Sequence, residues 1–299
     1  MYPIFIDLGF WQIRSYGVFV AIALLVGTWW SAREAERRGF ARDLVYDAAW
    51  AITVAGFVGA RLWYALFSEP QAFLARPWEI FAIWHGGLSM HGALIAGTLV
   101  GAWWIRRRRL PFWRFADAVV PGLILGQTVG QIACLLNGDT YGKPTDLPWA
   151  IVFTDPQAMA PLGVPLHPLQ AYELLAYLAV FLVVQRVARS AAREGAVLLT
   201  YAILYGGVRF AMEFFRGDPP VVAGIIVPQA ISVGLVVAAL AGLIILRRSG
   251  LAGPGDRTPV MLSSRPIARA LSREVHHALD PAAPGIEGHA RGGRRADVR

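Results

Sequence analysis

Two histidines share one glycine-rich stretch, His85-Gly-Gly-Leu-Ser-Met-His91-Gly92, at the mouth of an apolar run long enough to cross a membrane. With His167 they are the histidines of the apolar body; His276, His277 and His289 fall in a polar tail, without acidic or cysteine neighbours at metal-ligand spacing. An imidazole accepts a proton near neutral pH, and Gly86, Gly87 and Gly92 would let a lipid head group or a second helix approach the backbone beside His91. That makes His91 a candidate acid-base group. The plainer alternative is a helix-end histidine solvated by interfacial water.

Three further clusters could do chemistry. Gly130-Gln-Ile-Ala-Cys-Leu-Leu-Asn137-Gly138-Asp139-Thr-Tyr-Gly142 carries an apolar helix into a glycine-punctuated turn, although helix termination alone accounts for its glycines. His167-Pro-Leu-Gln170-Ala-Tyr172-Glu173 opens a span with more polar side chains than a cap requires. In Tyr205-Gly-Gly-Val-Arg209-Phe-Ala-Met-Glu213-Phe-Phe-Arg216, Tyr205, Arg209 and Glu213 recur at i, i+4 and i+8 on one helical face. An Arg–Glu pair explains part of it. Two arginines at a span end also suit an anionic phospholipid.

The elements that must position these groups are membrane helices. A 56% hydrophobic composition and a mean hydropathy of +0.48 exclude an ordinary soluble domain. The apolar runs predict seven spans, Tyr16 to Trp30, Leu44 to Phe67, Leu88 to Ile105, Phe115 to Leu136, Leu169 to Val184, Ala196 to Phe215 and Ile226 to Leu246, in an all-α polytopic membrane protein. Arg33, Arg37, Arg38 and Arg42, then Arg106 to Arg109, then Arg186, Arg189 and Arg193, then Arg247 and Arg248 follow alternate spans and so share one side. By the positive-inside rule that side is cytoplasmic, which places the N-terminus outside and the C-terminus inside. The net charge of +8 is therefore a topology signal, and nucleic-acid binding is not the natural inference.

The first apolar run lacks a basic leader and a small-residue cleavage site and is expected to be retained. A single cysteine, Cys134, excludes an internal disulfide, and buried packing is its expected role. The chain divides into a transmembrane domain, 1–248, and a cytoplasmic tail, 249–299, expected to be disordered apart from a possible short helix from Pro266 to Leu279. Between spans four and five, Gly138 to Leu166 is rich in Pro, Asp and Gly, includes the strand-like Trp149-Ala-Ile-Val-Phe153, and predicts a small periplasmic cap.

Taken in order, these segments resemble the prolipoprotein diacylglyceryl transferase family from about Ile13 to Leu246. Ser15-Tyr16-Gly17 is similar to its first-span Trp/Ser-Tyr-Gly, Gly59-Ala-Arg61-Leu-Trp-Tyr64 to its Gly-Gly-Arg-x-x-Tyr, and Gly86-Gly-Leu-Ser-Met-His91-Gly92 to its Gly-Gly-x-Ser-Phe-His-Gly. The segments at His167 to Glu173 and Tyr205 to Arg216 resemble its His-Pro-Ser-Gln-Leu-Tyr-Glu and sixth-span motifs, and Gln229 with Ser232 fits the start of its last span. One departure stands out. Where the family signature reads Gly-Arg-x-Gly-Asn-Phe-x-Asn-Gly-Glu-x-x-Gly, this chain has Gln131 for the arginine, Ala133 for the second glycine, Cys134 for the first asparagine and Asp139 for the glutamate, while Asn137, Gly138 and Gly142 remain. Glutamine supplies neither the charge nor the forked donors of arginine, so either another arginine compensates or the activity has diverged.

The resemblance implies transfer of the diacylglyceryl group of phosphatidylglycerol to the lipobox cysteine of a prolipoprotein signal peptide, with release of glycerol phosphate, in the bacterial inner membrane. His91 would assist thiol deprotonation, Arg209 with Arg61 or Arg216 would hold the phosphate, Tyr16 and Asn137 would donate hydrogen bonds, and Glu213 would orient Arg209. Gln131, Gly142 and Tyr205 complete the expected substrate site, and no metal or organic cofactor is implied. Two alternatives belong to other classes: a divergent paralogue that uses another acceptor or only binds lipid, and a transporter, which would more naturally show paired repeats or interrupted helices.

Overall fold

The computed structural model describes residues 2–9, 12–82, 86–190, 193–217, 221–222 and 225–248. His85, the 249–299 tail with its three histidines, and the short helix expected there lie outside the described residues. A hairpin of β1 (Ile4–Asp7) and β2 (Gln12–Arg14) leads into α1 (Ser15–Arg37). Helix α2 (Arg42–Trp63) runs on into a π-helical turn, Tyr64–Ser68, followed by the short α3 (Pro70–Ala75) and a 3₁₀ turn, Pro77–Phe81. Then come α4 (Met90–Arg107) and α5 (Phe112–Asn137), the latter closed by Gly138 at φ 80°, where the Gly138 amide donates to the Cys134 carbonyl at 2.9 Å. Strands β3 (Ile151–Val152) and β4 (Pro165–Leu166) pair antiparallel in a segment with its own core of Phe153, Ala160 and Leu166. Helices α6 (Leu169–Ser190), α7 (Ala196–Met212) and α8 (Val227–Arg248) complete the bundle.

This is an all-α polytopic membrane protein. Among the described residues six helices are long and apolar enough to cross a membrane: α1, α2 with its π turn, α5, α6, α7 with its 3₁₀ extension, and α8. Helix α4 is not among them. Its 18 residues end on Arg106 and Arg107, and Leu88 and Ser89, expected inside the third span, are non-helical because the Ser89 amide donates to the Ala60 carbonyl of α2 at 3.1 Å. Trp50, Leu99, Ile231, Val237 and Ile245 are exposed on helix faces, a pattern that exposes too much apolar surface for water and suits lipid.

With no hydrophobic drive between helices in a bilayer, close approach must come from small residues. Ala23, Gly27 and Ser31 of α1 meet Gly122 and Gly126 of α5, and a Cβ on Gly122 would lie 2.1 Å from the Ser31 hydroxyl. The Ser31 hydroxyl also donates to the Val119 carbonyl at 2.9 Å. On the other side of the bundle a Cβ on Gly92 of α4 would lie 2.1 Å from the Gly59 carbonyl of α2. That contact seats the first turn of α4, and with it His91, against α2.

Helix α7 borrows its N-terminal cap from α5. The fully buried Asp117 carboxylate accepts the Gly195 amide at 2.7 Å and the Leu198 amide at 2.9 Å, satisfying two first-turn donors that the helix itself cannot. Asp117→Ala is expected to lower stability by about 2–4 kcal/mol, read as a lower thermal midpoint of the purified protein in detergent. A midpoint within about a degree of wild type would refute the cap.

Successive helices alternate in direction, which sorts the side chains by end. At one end Arg42 pairs with Glu36, the Arg38 guanidinium donates to the Ala188 carbonyl at 3.1 Å, and Arg193 donates to the Leu246 carbonyl at 3.2 Å. The first turns of α1, α4 and α6 and the last turns of α5 and α7 therefore gather at the opposite end.

Candidate functional site

That opposite end holds a charged cluster inside the bundle. Tyr205 and Arg209 on α7 and Glu213 at the start of its 3₁₀ extension follow one another as their spacing requires, and the Arg209 guanidinium is gripped by the Glu173 carboxylate of α6. Glu213 lies farther from it, at 3.7 Å from Arg209 and 3.9 Å from Arg216. Glu173 and Glu213 are almost fully buried. Glu173, absent from the expected site, is thus the closer carboxylate and Glu213 a second one bridging two arginines. The i, i+4 spacing pointed to Glu213 because it is local; the Glu173 contact crosses between helices, and only its place in a polar first turn hinted at it.

Aromatic rings wall the cluster. Tyr205 stacks on Tyr201 at 5.3 Å and meets Tyr177 at 5.6 Å, and the Tyr177 hydroxyl is hydrogen-bonded to Arg209. Tyr201 in turn donates to the Gln127 carbonyl oxygen at 3.0 Å. Tyr177 and Gln127 escaped the sequence reading; Tyr177 lies one helical turn after Glu173, a spacing that could have found it.

The turn after α5 closes over this cluster. Asn137 is buried, and its amide donates to the Asp139 carboxylate at 3.4 Å and approaches the Met159 sulfur at 3.2 Å, so it braces the turn. The Gln170 amide donates to the Asp139 carbonyl at 2.7 Å. Burial pushes the Asp139 carboxyl above its usual range, against the opposing pull of Asn137, its own backbone, Cys134 and Arg216. Gly142 forms a β-bridge with Arg216, and a Cβ there would lie 2.5 Å from the His167 carbonyl, so glycine is required for this close approach. Tyr16, in the first turn of α1, comes alongside Cys134 and Asp139. Among the described residues the side-chain carbonyl oxygens of Gln131 and Gln170 and one oxygen of Glu213 are buried without a donor. Each is an oxygen with lone pairs able to accept a hydrogen bond.

Arg61 and His91 stand elsewhere at the same end. All five N–H donors of the Arg61 guanidinium are spent on backbone carbonyls, those of Ile80, Gly86, Gly87, Glu79 and Ala82. It therefore ties the loop before α4 to α2, and has no fork to offer a phosphate. His91 is exposed in the first turn of α4 with its ring stacked on Trp63 at 6.2 Å. Among the described residues no hydrogen bond joins it to Arg209 or its partners. The structure thus gathers Tyr205, Arg209, Glu213 and Arg216 into one cluster, sets Tyr16 in the first turn of α1, Gln131 and Asn137 in the last turns of α5 and Gly142 beyond it against Arg216, and leaves His91 and Arg61 on the α2–α4 pair.

A bundle of membrane length with a buried cluster of arginines and glutamates between α6 and α7 defines a polytopic membrane protein with an internal polar site. The model of the prolipoprotein diacylglyceryl transferase family matches residues 3–245, and the chain belongs to that family. It is similar to the phosphatidylglycerol–prolipoprotein diacylglyceryl transferase of Geobacter sulfurreducens, 35% identical over 72% of this chain and 82% of that protein. The proteins of the same name from Solidesulfovibrio magneticus and Thermosynechococcus vestitus are 38% identical over 73% of this chain and 82% of theirs, and 33% identical over 85% and 96%, respectively.

Proposed function

We propose that this protein transfers the diacylglyceryl group of phosphatidylglycerol to the lipobox cysteine of a prolipoprotein signal peptide at the outer face of the bacterial inner membrane. Seven spans, with α4 as the short one, place the N-terminus in the periplasm and the C-terminus in the cytoplasm, a reading supported by the arginines gathered at one end. The observation that carries the activity is the Arg209–Glu173–Glu213–Arg216 cluster, built from the family's motifs at the end opposite those arginines.

In the reaction the cysteine sulfur attacks the glyceryl carbon that bears the phosphate. A C–S bond forms as the C–O bond breaks, and the phosphodiester monoanion leaves as a glycerol phosphate that gains negative charge. His91 takes the thiol proton. Arg209 and Arg216 face the phosphate where charge grows, and Tyr205 and Tyr16 offer hydroxyls to its oxygens. The unsatisfied oxygens of Gln131, Gln170 and Glu213 suit the hydroxyls of a glycerol head group. Arg61 has a positioning role, fixing the loop that leads to His91.

The test is incubation of the purified protein in vesicles containing acyl-labelled phosphatidylglycerol with a lipobox peptide. Label moves to the peptide and glycerol phosphate appears in equal amount. Arg209→Lys keeps one charge but loses the fork, and is expected to lower turnover by about one to two orders of magnitude, equivalent to about 1.5–3 kcal/mol. Unchanged turnover removes Arg209 from the site.

A further inference from the structure

At the arginine-rich end, far from the cluster just described, α1 and α6 flank a half-open cavity of about 640 Å³ lined chiefly by Trp30, Phe181, Leu182, Gln185, Arg186 and Arg189. Its floor is apolar, with Trp30 packed edge-to-face on Phe181 at 5.3 Å. Gln185 is only 6% exposed; its Oε1 accepts the Trp30 indole N–H at 3.1 Å, and its Nε2 has no acceptor among the described residues. On the same α1–α6 seam the buried Nε of Arg38 also lacks an acceptor. Arg186 and Arg189 are exposed, lie one turn apart, and pair with no carboxylate among the described residues. Unsatisfied buried donors and two cations above an apolar floor call for a ligand with an anionic, acceptor-rich head and an apolar tail.

We propose that this cavity binds one anionic phospholipid from the leaflet that surrounds the arginine-rich ends. Phosphate oxygens accept hydrogen bonds from Arg186, Arg189 and Gln185 Nε2, and an acyl chain lies against Trp30, Phe181 and Leu182. Glu173 and Gln185 are twelve residues apart on α6, about 18 Å at 1.5 Å per residue, so this lipid and a substrate at Arg209 occupy opposite ends.

The experiment is native mass spectrometry of the delipidated full-length protein in mild detergent, titrated with phosphatidic acid, phosphatidylcholine or inorganic phosphate. Phosphatidic acid is expected to give a retained adduct that persists in Arg209→Gln and in Arg247→Gln/Arg248→Gln. Arg186→Gln/Arg189→Gln, two exposed positions, should weaken it by at least about tenfold. Gln185→Leu should weaken it less. Phosphatidylcholine and phosphate should bind at least about tenfold more weakly. Equal retention by wild type and Arg186→Gln/Arg189→Gln, or loss of the adduct in Arg209→Gln alone, overturns the site; phosphate held as tightly as phosphatidic acid overturns the lipid assignment.

Discussion

Converting His91 to glutamine leaves the protein folded in the membrane and lowers thiol alkylation by roughly a hundredfold to ten-thousandfold, the usual contribution of a positioned general base. The side chain is exposed and stacked on Trp63, so glutamine opens no cavity and strands no buried partner. What it removes is a ring nitrogen able to take a proton. The deficit should therefore shrink as pH rises from 7 to 9, because free cysteine approaches its own ionisation near pH 8.5 and needs less help. The assay is transfer to a lipobox peptide at several pH values, with the thermal midpoint as a folding control. Near-normal transfer, or a deficit that does not change with pH, sinks the role of His91.

The second large effect is a gain. Restoring arginine at Gln131 is expected to raise transfer by about one to two orders of magnitude. The reason lies in the charges of the cluster: Arg209 and Arg216 face Glu173 and Glu213, so their formal charges cancel. Asp139 adds no positive charge, although burial raises its pKa and weakens its negative one. A leaving phosphate that gains charge thus meets arginines already matched by carboxylates. A further guanidinium beside the orphaned Gln131 position would tip that balance. No change in a variant that folds and transfers would mean that the present arginines suffice, and absence of transfer by both proteins would count against the activity itself.

What could be read in advance followed the range of each interaction. The Tyr205, Arg209 and Glu213 stripe is a property of one helix, so periodicity exposed it. The grip of Glu173 on Arg209 and the Asp117 cap on α7 join residues 36 and 78 or more positions apart, and no local pattern encodes such meetings. The helical nature of the bundle was plain from apolar runs, whereas the late start of α4 depended on a single amide at Ser89 turning to α2. Arg61 shows the opposite error. Its motif marked an arginine at the right end, but the carbonyls that occupy it come from Glu79, Ile80, Ala82, Gly86 and Gly87, an approach that the sequence does not disclose.

That loop has a consequence for electrostatics at a distance. The carbonyls around Arg61 are dipoles, which solvate its charge without cancelling it, and no carboxylate pairs with it among the described residues. Glu79 contributes a backbone oxygen there while its side chain turns to Arg76 at 3.3 Å. The α2–α4 pair therefore carries a fixed full positive charge behind the loop that leads to His91, and a charge held out of water is screened less than a solvated one. An anion such as a thiolate held near His91 would feel that field without touching the guanidinium, so Arg61 can favour ionisation there as a buried counter-charge that never leaves its frame.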